Sequence, residues 1–146
     1  MSPEAATTIN SPEQAREELA RRADAIEGGY EMMLAYAAQG LSSDQGAANS
    51  AQIRDHLKRF EEALTGLAET YRQCAAALGV GPQDAVDDFL KTVEADAATT
   101  QAALRLVLGQ PGISSQMIDN VNASIHVRAL LTDVFIIDEV LKSARS

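Results

Sequence analysis

The chain has 146 residues, a formal net charge of −9, no tryptophan and only three phenylalanines and three tyrosines. This length indicates a single domain, and the alanine-rich, aromatic-poor composition favours helices over a β-sheet. The acidic charge, with no cluster of lysine and arginine on one face, argues against a nucleic-acid binder and against docking on an anionic membrane.

Residues 1–10 are small and polar, and we predict a disordered leader there, followed by a single domain over residues 11–146. The leader lacks the apolar core of a secretory signal, and no run of about 20 apolar residues could span a bilayer. Cys74 is the only cysteine in the sequence, so an intramolecular disulfide is excluded. We therefore expect a cytoplasmic protein.

The first predicted helix covers residues 12–39. Ser11 is a typical N-cap, Pro12 suits the first helical position, and Gly40 is a typical stop. Apolar residues then alternate at spacings of four and three, which indicates a seam that faces other helices. The seam consists of Leu19, Ala23, Ile26, Tyr30, Met33 and Ala37.

A pair of glycines, Gly28 and Gly29, lies inside this helix, where two glycines cost about 2 kcal/mol relative to alanine. Close approach of a neighbouring helix or a gentle kink would explain them. The alternative is an opening beside a pocket for an apolar or aromatic small molecule or a cofactor. The candidate residues of that pocket are Gly28, Gly29, Tyr30, Met33, Met117 and His126.

The second predicted helix covers residues 50–78 and the third covers residues 82–108, separated by a stop at residues 79–81. The second helix has the most regular apolar pattern of the chain. That pattern consists of Ile53, Leu57, Phe60, Leu64, Leu67, Tyr71, Cys74 and Leu78. Pro82 starts the third helix, and acidic residues crowd its first turns.

The last predicted helix, residues 114–144, is apolar on two opposite faces when it is read at 100° per residue. Met117, Ile118, Val121, Ile125, Phe135 and Ile136 form one face. The opposite face, which we predict to be a homodimer interface, consists of Val127, Leu130, Leu131, Val134, Ile137 and Leu141. A helix that is apolar almost all round is buried on more than one side, and one bundle covers only one of them. The alternative is that helices of the same chain wrap it more fully.

The two histidines do not fit the common helical-bundle chemistries. Ile53 and Ala123 stand where a di-iron bundle needs a carboxylate three residues before each histidine. Arg59 stands where a phosphotransfer domain places a lysine three residues after its histidine, so we interpret His56 as a surface residue. We interpret His126 as a structural histidine, and we expect no cofactor and no metal ion.

Four helices joined by short loops predict an all-α, antiparallel up-down-up-down four-helix bundle that dimerises through its C-terminal helix. The function that this pattern favours is a non-enzymatic interaction module, such as a regulator, adaptor or assembly factor, that self-associates and binds another protein. A bundle that binds a small molecule or cofactor near Gly28 and Gly29 is the alternative.

Overall fold

The structure, a computed structural model, describes residue 9, residues 11–48 and residues 50–144. These residues form six helices and no strand, so the described chain is all-α. The helices are α1 (Pro12–Ala37), α2 (Ser50–Leu64), α3 (Leu67–Leu78), α4 (Gln83–Leu108), α5 (Ser115–Ala123) and α6 (Ile125–Ser143). Apart from Ile9, the predicted leader lies outside the described residues.

Helix α1 begins at Pro12, where it was predicted to begin, and ends at Ala37, two residues before the predicted end. The hydroxyl of Ser11 accepts a hydrogen bond from the N–H of Gln14 at 3.2 Å and so caps one of the free N–H groups of the first turn. After the helix, Gly40 takes the left-handed conformation (φ +65°) that glycine adopts without strain.

The helix predicted over residues 50–78 is interrupted, and the structure corrects this prediction. Thr65 and Gly66 separate α2 from α3, and Gly66 has a φ of +75°, which is incompatible with a continuous helix. Arg22 of α1 donates hydrogen bonds to the backbone oxygens of Ala63 (2.7 Å) and Thr65 (2.9 Å). The interruption is therefore stable because a side chain of another helix satisfies carbonyl groups that α2 leaves free.

The helix predicted over residues 114–144 is also interrupted, at Ser124. The backbone of Ser124 is extended (ψ 143°), and its hydroxyl accepts a hydrogen bond from the N–H of Val127 at 3.3 Å. Ser124 thus ends α5 and caps the N-terminus of α6. The chain changes direction there, so α5 and α6 need not present the same side to the core.

The helices pack around one apolar core that extends through all six of them. Helix α1 packs against α2, α3 and α5, whereas α4 packs against α2, α3 and α6. Helix α6 packs against α4, and it packs much less closely against α1. This unequal packing of α6 decides where the surface of the protein is open.

A buried ion pair fixes one end of the molecule. Asp44, which is 1% exposed, accepts hydrogen bonds from Arg54 Nε at 2.7 Å, from the Ser50 hydroxyl at 2.9 Å and from the N–H of Ile113 at 2.6 Å. The hydrogen bond from Arg54 is the main reason why the pKa of Asp44 lies well below its usual range. Since Ile113 lies two residues before α5, this carboxylate connects the loop after α1 to the start of α5.

Candidate functional site

The structure places the predicted dimer interface mostly in the core of the single chain. Val127, Leu130, Val134, Ile137 and Leu141 are buried, and Leu131 is half-buried. The alternative reading of the last helix, in which the same chain covers this face, describes these six residues better. The prediction treated residues 114–144 as one helix and therefore placed residues of α5 and α6 on common faces. Because the helix is interrupted at Ser124, residues before and after it do not share one face.

The apolar surface of α6 lies on its other side. Ile125 is 73% exposed, Phe135 66%, Ile136 48% and Val140 40%. At 100° per residue Ile125, Ile136 and Val140 lie within about 60° of one another, and Phe135 lies about 80° from Ile125 on the other side. We call these four residues the outer stripe of α6. Exposed apolar side chains grouped on one part of a helix surface are a candidate interaction site.

A groove of about 780 Å³ runs between α1 and α6, next to the outer stripe. Its floor contains Ile26 and Val134, which are buried, and its walls contain Tyr30 and Leu131, which are half-buried. Phe135 stands on the rim. A smaller cavity of about 170 Å³ continues the groove toward the N-terminus of α1. We call the two together the α1–α6 groove. It exists because α6 packs on α4 and leaves part of the α1 seam uncovered.

The rim of the α1–α6 groove carries more acidic than basic groups. Glu27 and Glu31 line it on α1, and Asp138 and Glu139 line it on α6. The basic groups are Lys142 of α6 and Arg16 of α1, which lines the smaller cavity. Within the described residues, neither Glu27 nor Glu31 has an ion-pair partner within 4.0 Å. Asp138 accepts a hydrogen bond from the hydroxyl of Tyr71 at 2.9 Å, and burial raises the pKa of this aspartate.

The glycine pair has a packing explanation. A Cβ atom at Gly29 would lie 2.8 Å from the Cβ atom of Phe60, so α1 and α2 approach each other closely at this point. A Cβ atom at Gly28 would lie 3.8 Å from Cδ2 of the His56 ring, its nearest neighbour. Glycine at position 29 is therefore needed for helix packing.

The residues of the predicted ligand pocket lie in different surroundings. Gly29 and Met33 are buried in the core, whereas Tyr30 lines the α1–α6 groove. His126 is exposed on α6, and Met117 is 36% exposed on α5. Only Tyr30 of this set belongs to the groove that the structure shows.

The remaining candidate residues serve the fold. His56 is half-buried on α2, where its Nδ1 lies 2.9 Å from the backbone oxygen of Gln52. Cys74 is buried, and its thiol lies 3.7 Å from the backbone oxygen of Ala15, to which it donates a hydrogen bond. Burial raises the pKa of the Cys74 thiol to about 11, so the reactive thiolate is disfavoured.

A pair of carboxylates between α4 and α6 is the most unusual electrostatic feature, and sequence reasoning missed its pairing. Asp133 of α6 is only 7% exposed, and Asp96 of α4 is the neighbour that interacts with it. Burial, together with the hydrogen bond and negative charge of Asp96, raises the pKa of Asp133 to about 7. The spacing along one helix does not predict this pair, because the two residues lie on different helices.

The described part of the chain has neither a cluster of potential metal ligands nor a candidate membrane span. It contains no group of three or more histidine, cysteine or acidic side chains that could hold a metal ion. None of its helices has both the length and the apolar content of a transmembrane segment. No protein-family model, curated protein or solved structure matches this chain. The outer stripe of α6 and the α1–α6 groove are therefore the features from which we infer a function.

Proposed function

We propose that the protein is a non-enzymatic interaction module that self-associates and binds another protein, as a regulator, adaptor or assembly factor does. The observation that carries the proposal is the outer stripe of α6, which exposes Ile125, Phe135, Ile136 and Val140. Exposed apolar side chains of this size lose contact with water only when another surface covers them, and each fully covered side chain contributes about 1.5–3 kcal/mol. This is the physical reason to expect a partner on α6.

We further propose that the six helices form a four-helix bundle in which the second and fourth members are each interrupted. In this arrangement α2 with α3, and α5 with α6, take the places of single long helices. The C-terminal member still carries the dimer contact, as the sequence indicates. The contact uses the outer stripe, however, because the residues of the opposite face fill the core.

The charges beside the outer stripe favour a second copy of the chain as its cover. Arg128 and Glu139 are both exposed, and 11 residues of helix place them on the same side of α6, about 16 Å apart. If two α6 helices pack antiparallel about a two-fold axis, Arg128 of each copy meets Glu139 of the other. Isologous dimers show this kind of self-complementarity.

The experiment is a measurement of solution mass by light scattering over a concentration series. We expect the wild-type chain to form a dimer, and Ile136→Glu to shift it to a monomer by placing a charge in the apolar contact. Leu106→Glu is the matched control, since Leu106 is a 69% exposed apolar residue on another helix, α4. A wild-type protein that stays monomeric at high concentration would refute self-association.

A charge exchange tests the orientation of the two helices. Arg128→Glu and Glu139→Arg each place like charges opposite one another in the antiparallel arrangement, so each single variant should weaken the dimer about 3- to 10-fold. The double variant restores opposite charges and should recover most of the lost affinity. Additive losses in the double variant would contradict the antiparallel pairing but not the apolar contact.

A further inference from the structure

We infer that the α1–α6 groove binds an amphipathic, positively charged helix of a partner protein. This inference rests on the proposed protein-binding function and specifies the partner for a surface that lies next to the self-association stripe. The observation behind it is an apolar channel between two antiparallel helices whose rim is acidic.

The shape of the groove fits a helix. Ala15 of α1 lies at one end beside Leu141 of α6, and Glu31 lies at the other end beside Leu131. This stretch of α1 is about 24 Å long at 1.5 Å per residue, which equals four turns of a bound helix. The apolar contacts along it repeat at helical spacing on α1, from Leu19 to Tyr30. These are the features of helix-in-groove recognition.

The groove lies where part of the apolar seam of α1 is not covered by another helix. The α1 seam alternates apolar residues at the spacing that packs against other helices, and α2, α3 and α5 cover part of it. Helix α6 would cover the remainder if it lay along α1, but it packs on α4 instead. A helix bound in the groove would bury the apolar residues of the α1 seam that α6 leaves uncovered.

The acidic rim of the groove favours a partner helix that carries positive charge. Four carboxylates, Glu27, Glu31, Asp138 and Glu139, line the main groove with one cation, Lys142. Glu27 and Glu31 are one helical turn apart and both point to solvent. Lysine or arginine side chains on a bound helix would pair with them. A second copy of this acidic chain would bring carboxylates toward carboxylates, so we assign the groove to a different protein.

The test uses a defined peptide as the probe. It has 18 residues, with leucine at the a and d positions of each heptad, lysine at the flanking positions and alanine elsewhere, and its counterpart has glutamate in place of lysine. Titration calorimetry measures the affinity of each peptide for the wild-type chain. We expect the lysine peptide to bind and the glutamate peptide to bind at least about tenfold more weakly. Chemical-shift changes at Ala23 and Tyr30, which line the groove and do not belong to the outer stripe, locate the bound peptide.

Two double variants with the same change of net charge distinguish an effect of the groove on peptide affinity from an effect of the overall charge. Glu27→Lys with Glu31→Lys should weaken binding of the lysine peptide about tenfold or more. Glu62→Lys with Asp88→Lys alters exposed residues of α2 and α4 outside the groove, and should leave the affinity within about twofold. Circular dichroism of both double variants establishes that they are folded.

Three results of the binding measurements would overturn the inference. They are no binding of the lysine peptide, equal binding of both peptides, and equal losses in the two double variants. If the Glu27 and Glu31 variant changes the solution mass of the protein alone, the occupant is a second copy, which also overturns it. A monomeric wild-type chain that still binds the lysine peptide refutes self-association only, so the two proposals fail separately.

Discussion

The carboxylate pair between α4 and α6 gives the sharpest prediction about stability. Asp133→Asn removes one of two interacting acids while it keeps the size of the side chain. The pKa of Asp133 is raised from its ordinary value of 3.8 to about 7, because burial and Asp96 both disfavour its charge. A neutral amide at this position avoids that cost at every pH.

The magnitude follows from linkage between protonation and folding. A raised pKa means that the folded chain holds a proton that the unfolded chain has released, so stability is fully present below pH 3.8 and falls as the pH rises through about 7. Each pKa unit corresponds to about 1.36 kcal/mol, which sets an upper bound of about 4 kcal/mol. Since the two acids share the proton and the side chains can relax, we expect about 2 kcal/mol at pH 8.

The assay is urea denaturation of wild type and Asp133→Asn at pH 5 and pH 8. We expect the variant to be more stable than wild type at pH 8, and this advantage to be about 1 kcal/mol smaller at pH 5, because part of the loss already occurs between pH 3.8 and pH 5. Asp88→Asn, an exposed position on α4, is the control and should change neither value by more than about 0.5 kcal/mol. Burial also raises the pKa of Asp138, so some pH dependence remains in the variant. An equal effect of Asp133→Asn at both pH values would refute the reasoning.

Two further substitutions test the packing of α1 and the buried ion pair. Gly29→Ala should lower the free energy of unfolding by about 1–3 kcal/mol, because its Cβ would lie 2.8 Å from Phe60. Gly28→Ala, whose nearest neighbour is 3.8 Å away, should be neutral or stabilising by up to about 1 kcal/mol; urea denaturation that gives equal effects would contradict this packing. Asp44→Asn should cost about 3 kcal/mol at pH 7 because it leaves Arg54 without its charged partner. Because the pKa of Asp44 is depressed, this difference begins to shrink as the pH falls below 3.8 and is lost only below the folded-state pKa, so thermal unfolding should give a smaller difference at pH 3 than at pH 7.

The positions of most helix ends follow from the sequence, because the signals for them are local. Ser11 caps α1, Ser114 caps α5 with a hydrogen bond from the N–H of Met117 at 3.0 Å, and Gly40 and Gly79 follow the ends of α1 and α3 in the left-handed conformation. Each of these features depends on a few neighbouring residues. Apolar periodicity in α2 and α3 likewise identified core residues.

The two interruptions could not be read from the periodicity. The spacing from Leu64 to Leu67 is the same in a continuous helix and across the break at Gly66, and Arg22, which stabilises the break, comes from α1. At Ser124, a serine inside an apolar stretch is a weak signal for a helix start. Helix capping by distant side chains is a tertiary effect, so a local pattern does not contain it.

By itself, the sequence determined the helical content, the start of each long helical segment and the apolar seams. Only the tertiary structure decided which face of α6 is buried, because that depends on the turn at Ser124 and on the packing of α6 against α4. The same packing uncovers the α1–α6 groove and brings Asp96 close to Asp133. Periodicity describes the sides of one helix, whereas the neighbours of each side are set by how the helices are arranged in space.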